Sequence, residues 1–158
     1  MSTIKLMIRP ADVIALTQLD GNIDIDNLKP LIYAAQTTHL KAFLGSKLYT
    51  KIYDGFVANT LAGEYLIIFD EYIKDFLSYY SSALFVDFGG YKVSENGLHK
   101  IASEKMTSLS ETETATLSLK FTKLVANVEA NFKEYVCDKN LPELVDKTIN
   151  VQTDFPWL

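Results

Sequence analysis

Residues 25–49 constrain the fold most, because they have the pattern of an amphipathic helix that stops at a glycine and leads directly into another helix. Asp24 or Asp26 can cap the free N–H groups at the start of the first helix, and Gly45 ends it. Apolar residues recur along this helix at helical spacing: Leu28, Leu31, Ile32, Ala35, Leu40, Phe43 and Leu44. Two helices in succession indicate a mainly helical domain.

Four further helices are predicted from apolar periodicity and capping signals. They cover residues 11–19, about 46–56 with a break near Asp54-Gly55, about 64–85, and about 110–139. The last starts with a Ser110–Glu113 capping box and is the longest of the set. The helix at 64–85 is apolar around most of its circumference, which predicts a central helix or one that also packs against a neighbouring subunit.

A β-hairpin is predicted between the last two helices, at about residues 91–101. Gly89-Gly90 breaks the preceding helix, and Glu95-Asn96-Gly97 lies between two short alternating segments. Asn-Gly in such a context is a strong hairpin signal. Because an isolated hairpin is marginally stable in water, we expect it to lean on helices or on another chain.

These elements predict a mainly α fold: a small bundle of about four to five helices with one long C-terminal helix, one β-hairpin insertion and an extended C-terminal tail. The predicted organisation has three parts. Residues 1–23 form an N-terminal segment with a short helix, residues 24–140 form one helical domain, and residues 141–158 form a tail or arm.

Charge and composition exclude several classes of function. The 158 residues carry a net charge of −5 and no block of Lys or Arg, which argues against tight binding of nucleic-acid phosphates. The longest apolar run, residues 65–69, is far too short to span a bilayer. One cysteine excludes an intramolecular disulfide. We therefore expect no membrane partner and a protein that is made in a cytosol.

No metal, cofactor or catalytic site is predicted. Asp20, Asn22 and Asp24 imitate the first half of a calcium loop, but Ile25 and Leu31 stand where that loop requires glycine and a bidentate glutamate. A turn followed by a helix cap is the preferred interpretation. His39 and His99 lie on different elements and lack a second ligand at helical spacing, and no nucleotide-binding or nucleophile motif is present.

The C-terminal segment Phe155-Pro156-Trp157-Leu158 is apolar and contains two aromatic rings. An exposed Trp beside Phe and Leu is unfavourable unless it docks somewhere. Two interpretations remain open: the segment packs on its own domain, or it is an arm that anchors into a partner, where Trp is a favoured contact residue.

The order of these motifs resembles the head–tail connector (adaptor) proteins of tailed bacteriophages, and more narrowly the ring or neck proteins of crAss-like phages of Bacteroidetes. The resemblance covers about residues 24–140. It consists of a succession of helices and short motifs: Ala35-Gln36, Leu44-Gly45, Leu48-Tyr49 and the hairpin segment 91–98.

The resemblance implies a virion structural protein without catalytic residues. Such proteins form a ring of twelve subunits under the portal protein, extend the DNA channel without binding DNA specifically, and dock the next neck or tail ring. The protein would be located at the head–tail junction, assembled in the cytoplasm of the bacterial host. The residues expected to contact partners are the hairpin tip and the tail anchors: Glu95, Asn96, Gly97, Phe155, Trp157 and Leu158.

Two alternatives remain. The chain is a small helical binding or regulatory module that forms dimers, or it is an enzyme whose motif is not visible in the sequence. Native mass separates a ring or a portal-dependent assembly from a dimer. A water-lined cleft with converging ionisable groups would point to the enzyme.

Overall fold

A computed structural model describes residues 4–17, 19, 24–88, 91–94, 97–100 and 110–147. Within these residues the chain forms five helices: α1 (Pro10–Leu16), α2 (residues 25–44), α3 (Ser46–Ala58), α4 (residues 63–88) and α5 (Glu111–Val136). Two short strands, β1 (Tyr91–Ser94) and β2 (Gly97–Lys100), follow α4, and a 3-10 helix (Pro142–Lys147) follows α5.

Helices α2 and α4 each contain one π-helical segment. In α2 it is Ala35–Leu40, between the α-helical parts Ile25–Ala34 and Lys41–Leu44. In α4 it is Ile68–Ile73, between Gly63–Ile67 and Lys74–Phe88. Single π turns inside α-helices occur frequently at functional sites. The apolar spacing of the sequence predicts both helices but does not reveal these segments.

Two residues with positive φ, Gly45 and Asn59, lie at the two ends of α3. Gly45 has φ of 80°, which ends α2 as expected and starts α3 directly. The predicted break near Asp54-Gly55 is wrong, because α3 continues to Ala58 and ends at left-handed Asn59. A Cβ at Gly55 would lie 2.8 Å from Leu61 Cδ2, so the glycine lets the following loop fold back on the helix.

Helix α4 is the central helix. It packs against α1, α2 and α5, and no residue from Lys74 to Val86 is exposed. Near the start of α4, Glu64 contacts Tyr135 close to the end of α5, and further along α4 Tyr72 contacts the ring of Phe132, so α4 and α5 run antiparallel. The chain itself therefore covers the apolar surface of α4 that was expected to require either a central position or a neighbouring subunit.

The core joins every helix to the N-terminal segment. Met7, Ile8 and Val13 belong to the same buried cluster as the residues of α2, α3, α4 and α5. Among the largest fully buried side chains are these: Phe76, Leu28, Ile32, Leu40, Leu44, Leu48, Ile52, Ile68, Ile73 and Leu77. Burial of each such side chain stabilises the fold by about 1.5–3 kcal/mol relative to leaving it exposed.

The predicted fold class requires a correction. The mainly helical class is confirmed, but the predicted β-hairpin insertion into the bundle is wrong: among the described residues, the regular elements of the bundle are all helices. Strands β1 and β2 pair with each other, and Ser94 lies opposite Gly97. Gly97 is thus the first residue of β2 rather than part of the expected turn. The Asn-Gly signal marks a reversal of the chain without fixing its register or its packing.

The sequence signals predict the start of α5 correctly but not the end of α1. The Ser110–Glu113 capping box is confirmed at the start of α5. The predicted first helix is too long, since α1 ends at Leu16, where the Thr17 hydroxyl donates to the Val13 carbonyl oxygen. In the predicted tail, residues 141–158, Leu141 is buried in the core and Pro142–Lys147 form the 3-10 helix, and residues 148–158 lie outside the described residues.

Candidate functional site

The predicted partner-binding residues lie almost entirely outside the described part of the chain. Gly97 opens strand β2. Glu95 and Asn96 of the predicted hairpin tip, and the tail anchors Phe155, Trp157 and Leu158, fall outside the described residues. These residues remain predicted partner contacts.

The other candidates from the sequence have structural roles where the structure describes them. Asp24 is the N-cap of α2 and accepts a hydrogen bond from the Asp26 N–H, at 3.0 Å. The His39 ring stacks on Tyr80 with centroids 4.1 Å apart, and burial lowers the pKa of His39. Among the described residues, no three His, Cys, Asp or Glu side chains are placed to hold a metal ion.

A buried amide fixes the N-terminal segment to the first π segment. Gln36 is fully buried; its Oε1 accepts from the Met7 N–H at 2.8 Å, and its Nε2 donates to the Lys5 carbonyl oxygen at 3.1 Å. The Lys5 N–H donates to the Tyr53 hydroxyl at 2.8 Å. These bonds hold residues 5–7 extended across α2 and α3.

The segment held in this way forms one wall of an open groove of about 630 Å³. We call this site the aromatic groove. Its floor is the stacked pair Phe56 and Phe69, whose ring centroids are 5.3 Å apart. Phe69 comes from the π segment of α4. Further residues that line it are Lys5, Met7, Arg9, Asp12, Leu16, Asp70, Lys74 and Asp75.

Two lysines lie over the aromatic floor. Lys5 Nζ is 4.7 Å from the centroid of Phe56, and Lys74 Nζ is 5.2 Å from that of Phe69. Ammonium groups are attracted to the negative face of such rings. The floor therefore combines apolar area with positive charge.

The rim of the aromatic groove holds two internal ion pairs and one carboxylate without a cation. Arg9 pairs with Asp12 at 2.9 Å, which lowers the pKa of Asp12, and Lys74 pairs with Asp70. Burial raises the pKa of Asp75, and no cation of the described chain forms an ion pair with it. The aromatic groove can therefore bind a segment with apolar and polar groups.

A second polar cluster fastens the far end of the bundle. The Tyr135 hydroxyl donates to Glu64, whose other oxygen lies 3.4 Å from Lys139 Nζ. The hydrogen bond to Glu64 raises the pKa of Tyr135 to about 12, and the same bond lowers the pKa of Glu64. Tyr65 donates to Glu143 of the 3-10 helix at 2.9 Å. These contacts join α4, α5 and the 3-10 helix.

Sequence reasoning missed the aromatic groove because its residues come from four distant segments. In the sequence, Phe56 and Phe69 are two of many apolar positions of their helices, and Asp75 is one of the polar positions of α4. The π turn that carries Phe69 adds one residue to α4, but the spacing of apolar residues in the sequence does not show this. The contacts of Gln36 with residues 5–7 could not be predicted from local pattern either.

The described residues form a small, mainly helical domain with one open aromatic groove between the N-terminal segment, α1, α3 and α4. The chain belongs to the family of unknown function DUF6712, whose family profile matches residues 40–148. No curated protein and no solved structure matches the chain. Within the described residues, no helix has the length and hydrophobicity to cross a membrane.

Proposed function

We propose that this protein is a virion structural protein, a ring-forming head–tail connector subunit that links the portal protein to the tail and extends the DNA channel. It acts through shape and interfaces, without catalysis. Its partners are further copies of itself in a ring of twelve, the portal protein and the next neck or tail ring. Glu95, Asn96 and Gly97 of the hairpin segment and the tail anchors (Phe155, Trp157, Leu158) contact these partners.

One structural observation supports this proposal above all: apolar side chains are exposed at both ends of the α4–α5 pair. At one end Leu66 and Ile67 are 40% and 38% exposed. At the other, Phe88 is 60% exposed and Leu119 is 55% exposed. The two sites are about 30 Å apart along α4 at 1.5 Å per residue.

Two different apolar sites on one subunit are what a closed ring requires. In a head-to-tail interface, one surface of a subunit contacts a different surface of the next, and the ring closes by rotation. Singly exposed apolar residues are ordinary on protein surfaces. The adjacent pair on α4 and the strongly exposed Phe88 exceed that pattern. The net charge of −5 is compatible with a channel along which DNA slides without being held.

The experiment is native mass spectrometry and electron microscopy of the protein, alone and co-expressed with the portal protein of its own genome. Leu66→Asp combined with Ile67→Asp removes one site, and Leu119→Asp removes the other. Each variant alone should fail to form rings. A mixture of the two should give dimers, because one intact copy of each site remains and can pair only once.

Tyr33→Asp is the matched control, since Tyr33 is 46% exposed on α2 and belongs to neither site. It should leave ring formation unchanged. A protein that stays monomeric both alone and with the portal protein would contradict the proposal.

The alternative is a small helical binding or regulatory module that forms dimers. The observation that favours it is the coverage of α4 by the chain's own α1, α2 and α5, which leaves the central helix independent of any neighbour. In this case the wild-type protein should form a two-fold dimer. A two-fold interface uses the same surface on both subunits, so a site variant whose substitution lies outside that surface should still dimerise by itself.

A further inference from the structure

We propose that the aromatic groove of one copy binds the C-terminal segment, residues 148–158, of a neighbouring copy. This inference rests on the proposed function, since it assigns the contact between successive subunits of a ring. It names the partner of a groove that the described part of the chain leaves open.

The aromatic groove presents unmatched groups that specify its occupant. Lys5 contacts an aromatic ring but forms no ion pair with a carboxylate of the described chain. Asp75 likewise forms no ion pair with a cation there, although it is partly buried. An occupant that brings an anion for the exposed Lys5, a hydrogen-bond donor for Asp75 and aromatic surface for the floor would therefore complement the groove.

The C-terminal segment supplies all three groups in a short stretch. Asp154 is an anion, Phe155 is an aromatic ring, and Trp157 combines a large ring with an indole N–H donor. Asp154 and Trp157 are three residues apart, which is about 10 Å in an extended chain. Pro156 between the rings restricts the backbone to extended or turn conformations, so less entropy is lost on binding.

The segment and the groove are different surfaces of the same chain. A contact between them across two copies is therefore head-to-tail, as a ring requires. The segment also follows the 3-10 helix Pro142–Lys147, which packs on α3, the helix that carries Phe56 of the groove floor.

Disulfide trapping between full-length chains tests the inference. The exposed Cys137 is first replaced by serine, so that introduced thiols are the only ones. A chain with Leu16→Cys, in the groove wall, is mixed with a tagged chain carrying Leu158→Cys and oxidised mildly. The mixed dimer should exceed several-fold the dimer formed when Val57→Cys replaces Leu16→Cys. Leu16 and Val57 are 43% and 46% exposed, so the two thiols are equally accessible.

The fluorescence of Trp157 gives an independent measurement of docking, because Trp157 is the only tryptophan in the sequence. Its fluorescence emission should move to shorter wavelength as protein concentration rises. Leu16→Lys should abolish this shift, whereas Val57→Lys should not. A complete shift in a dilute sample that native mass spectrometry shows to be monomeric would place the segment on its own chain and overturn the intermolecular contact.

The outcomes separate this inference from the proposed function. Rings that form normally while Leu16→Cys and Val57→Cys give equal trapping would overturn the inference and leave the connector standing. Specific trapping in a protein that forms only dimers, with or without the portal protein, would keep the docking contact and overturn the connector.

Discussion

Buried polar groups in this protein are satisfied in two different ways. In α2, the fully buried Gln36 bonds to the backbone of Lys5 and Met7, about thirty residues earlier in the chain. In α4, the buried Ser81 and Ser82 hydroxyls donate to the carbonyl oxygens of Leu77 and Ser78, one turn back in the same helix. One arrangement needs the folded domain, whereas the other forms with the helix itself.

The difference determines what each polar group contributes. A hydroxyl that binds its own helix satisfies itself and specifies no tertiary contact. Gln36 fixes where the N-terminal segment lies and thereby builds one wall of the aromatic groove. Removing it leaves a buried N–H without a partner, which costs far more than removing a bond whose partner is already satisfied.

The largest effect is expected for Gln36→Leu. The substitution roughly keeps the volume but leaves the Met7 N–H buried and unpaired, so the free energy of unfolding should fall by about 2 kcal/mol. Urea denaturation measures this as a lower midpoint with an unchanged slope. Thr37→Val is the control, because the exposed Thr37 hydroxyl donates only to the Tyr33 carbonyl oxygen of its own helix. A loss of unfolding free energy no larger than that of Thr37→Val would show that the long-range bonds of Gln36 contribute no more than a local hydroxyl bond.

A smaller, pH-dependent effect is expected for Tyr135→Phe, which removes the long-range hydrogen bond to Glu64. Because the pKa of Tyr135 is raised to about 12, its contribution is complete below pH 10 and is lost as pH rises from about 10 to 12. The pKa of Glu64 is lowered, so its contribution is present above its ordinary value of 4.5 and is lost as pH falls.

The variant should therefore have a flatter stability curve on both the alkaline and the acidic side. Urea midpoints at a series of pH values measure this. Tyr33→Phe, at an exposed ring, is the matched control and should keep the wild-type curve. Equal steepness in Tyr135→Phe and wild type would show that the Glu64 contact does not contribute.

The smallest effect is expected for Ser81→Ala. The hydroxyl bond is local, and alanine is the better helix former, so stability should change by no more than about 0.5 kcal/mol. The same denaturation experiment measures it, and Ser82→Ala should behave alike. A loss as large as that of Gln36→Leu would mean that local and long-range polar contacts do not differ here.

Local signals predicted most helices and few of the contacts between them. Gly45 and the Ser110–Glu113 box are visible in the sequence because their effects extend over one turn. The continuation of α3 through Gly55 was missed because a glycine inside a helix is a cost that tertiary packing can offset. The Asn-Gly signal predicts a turn, but it cannot specify whether the hairpin packs within the bundle.

The aromatic groove could be predicted least of all. Its floor joins Phe56 of α3 to Phe69 of α4, and its wall depends on a hydrogen bond from Met7 to Gln36. Apolar periodicity places each ring on the inner side of its helix but does not say which ring it meets. Such pairings are set by the packing of whole helices.

The π segments have a consequence for length variation in this chain. A π turn holds one residue more than an α turn, because its hydrogen bonds run from i to i+5. Deleting one residue within Ile68–Ile73 can therefore be absorbed by a return to α geometry, whereas a deletion elsewhere in α4 rotates everything beyond it by about 100°. The two π segments are therefore the positions where α2 and α4 can lose one residue and still keep their interior faces aligned.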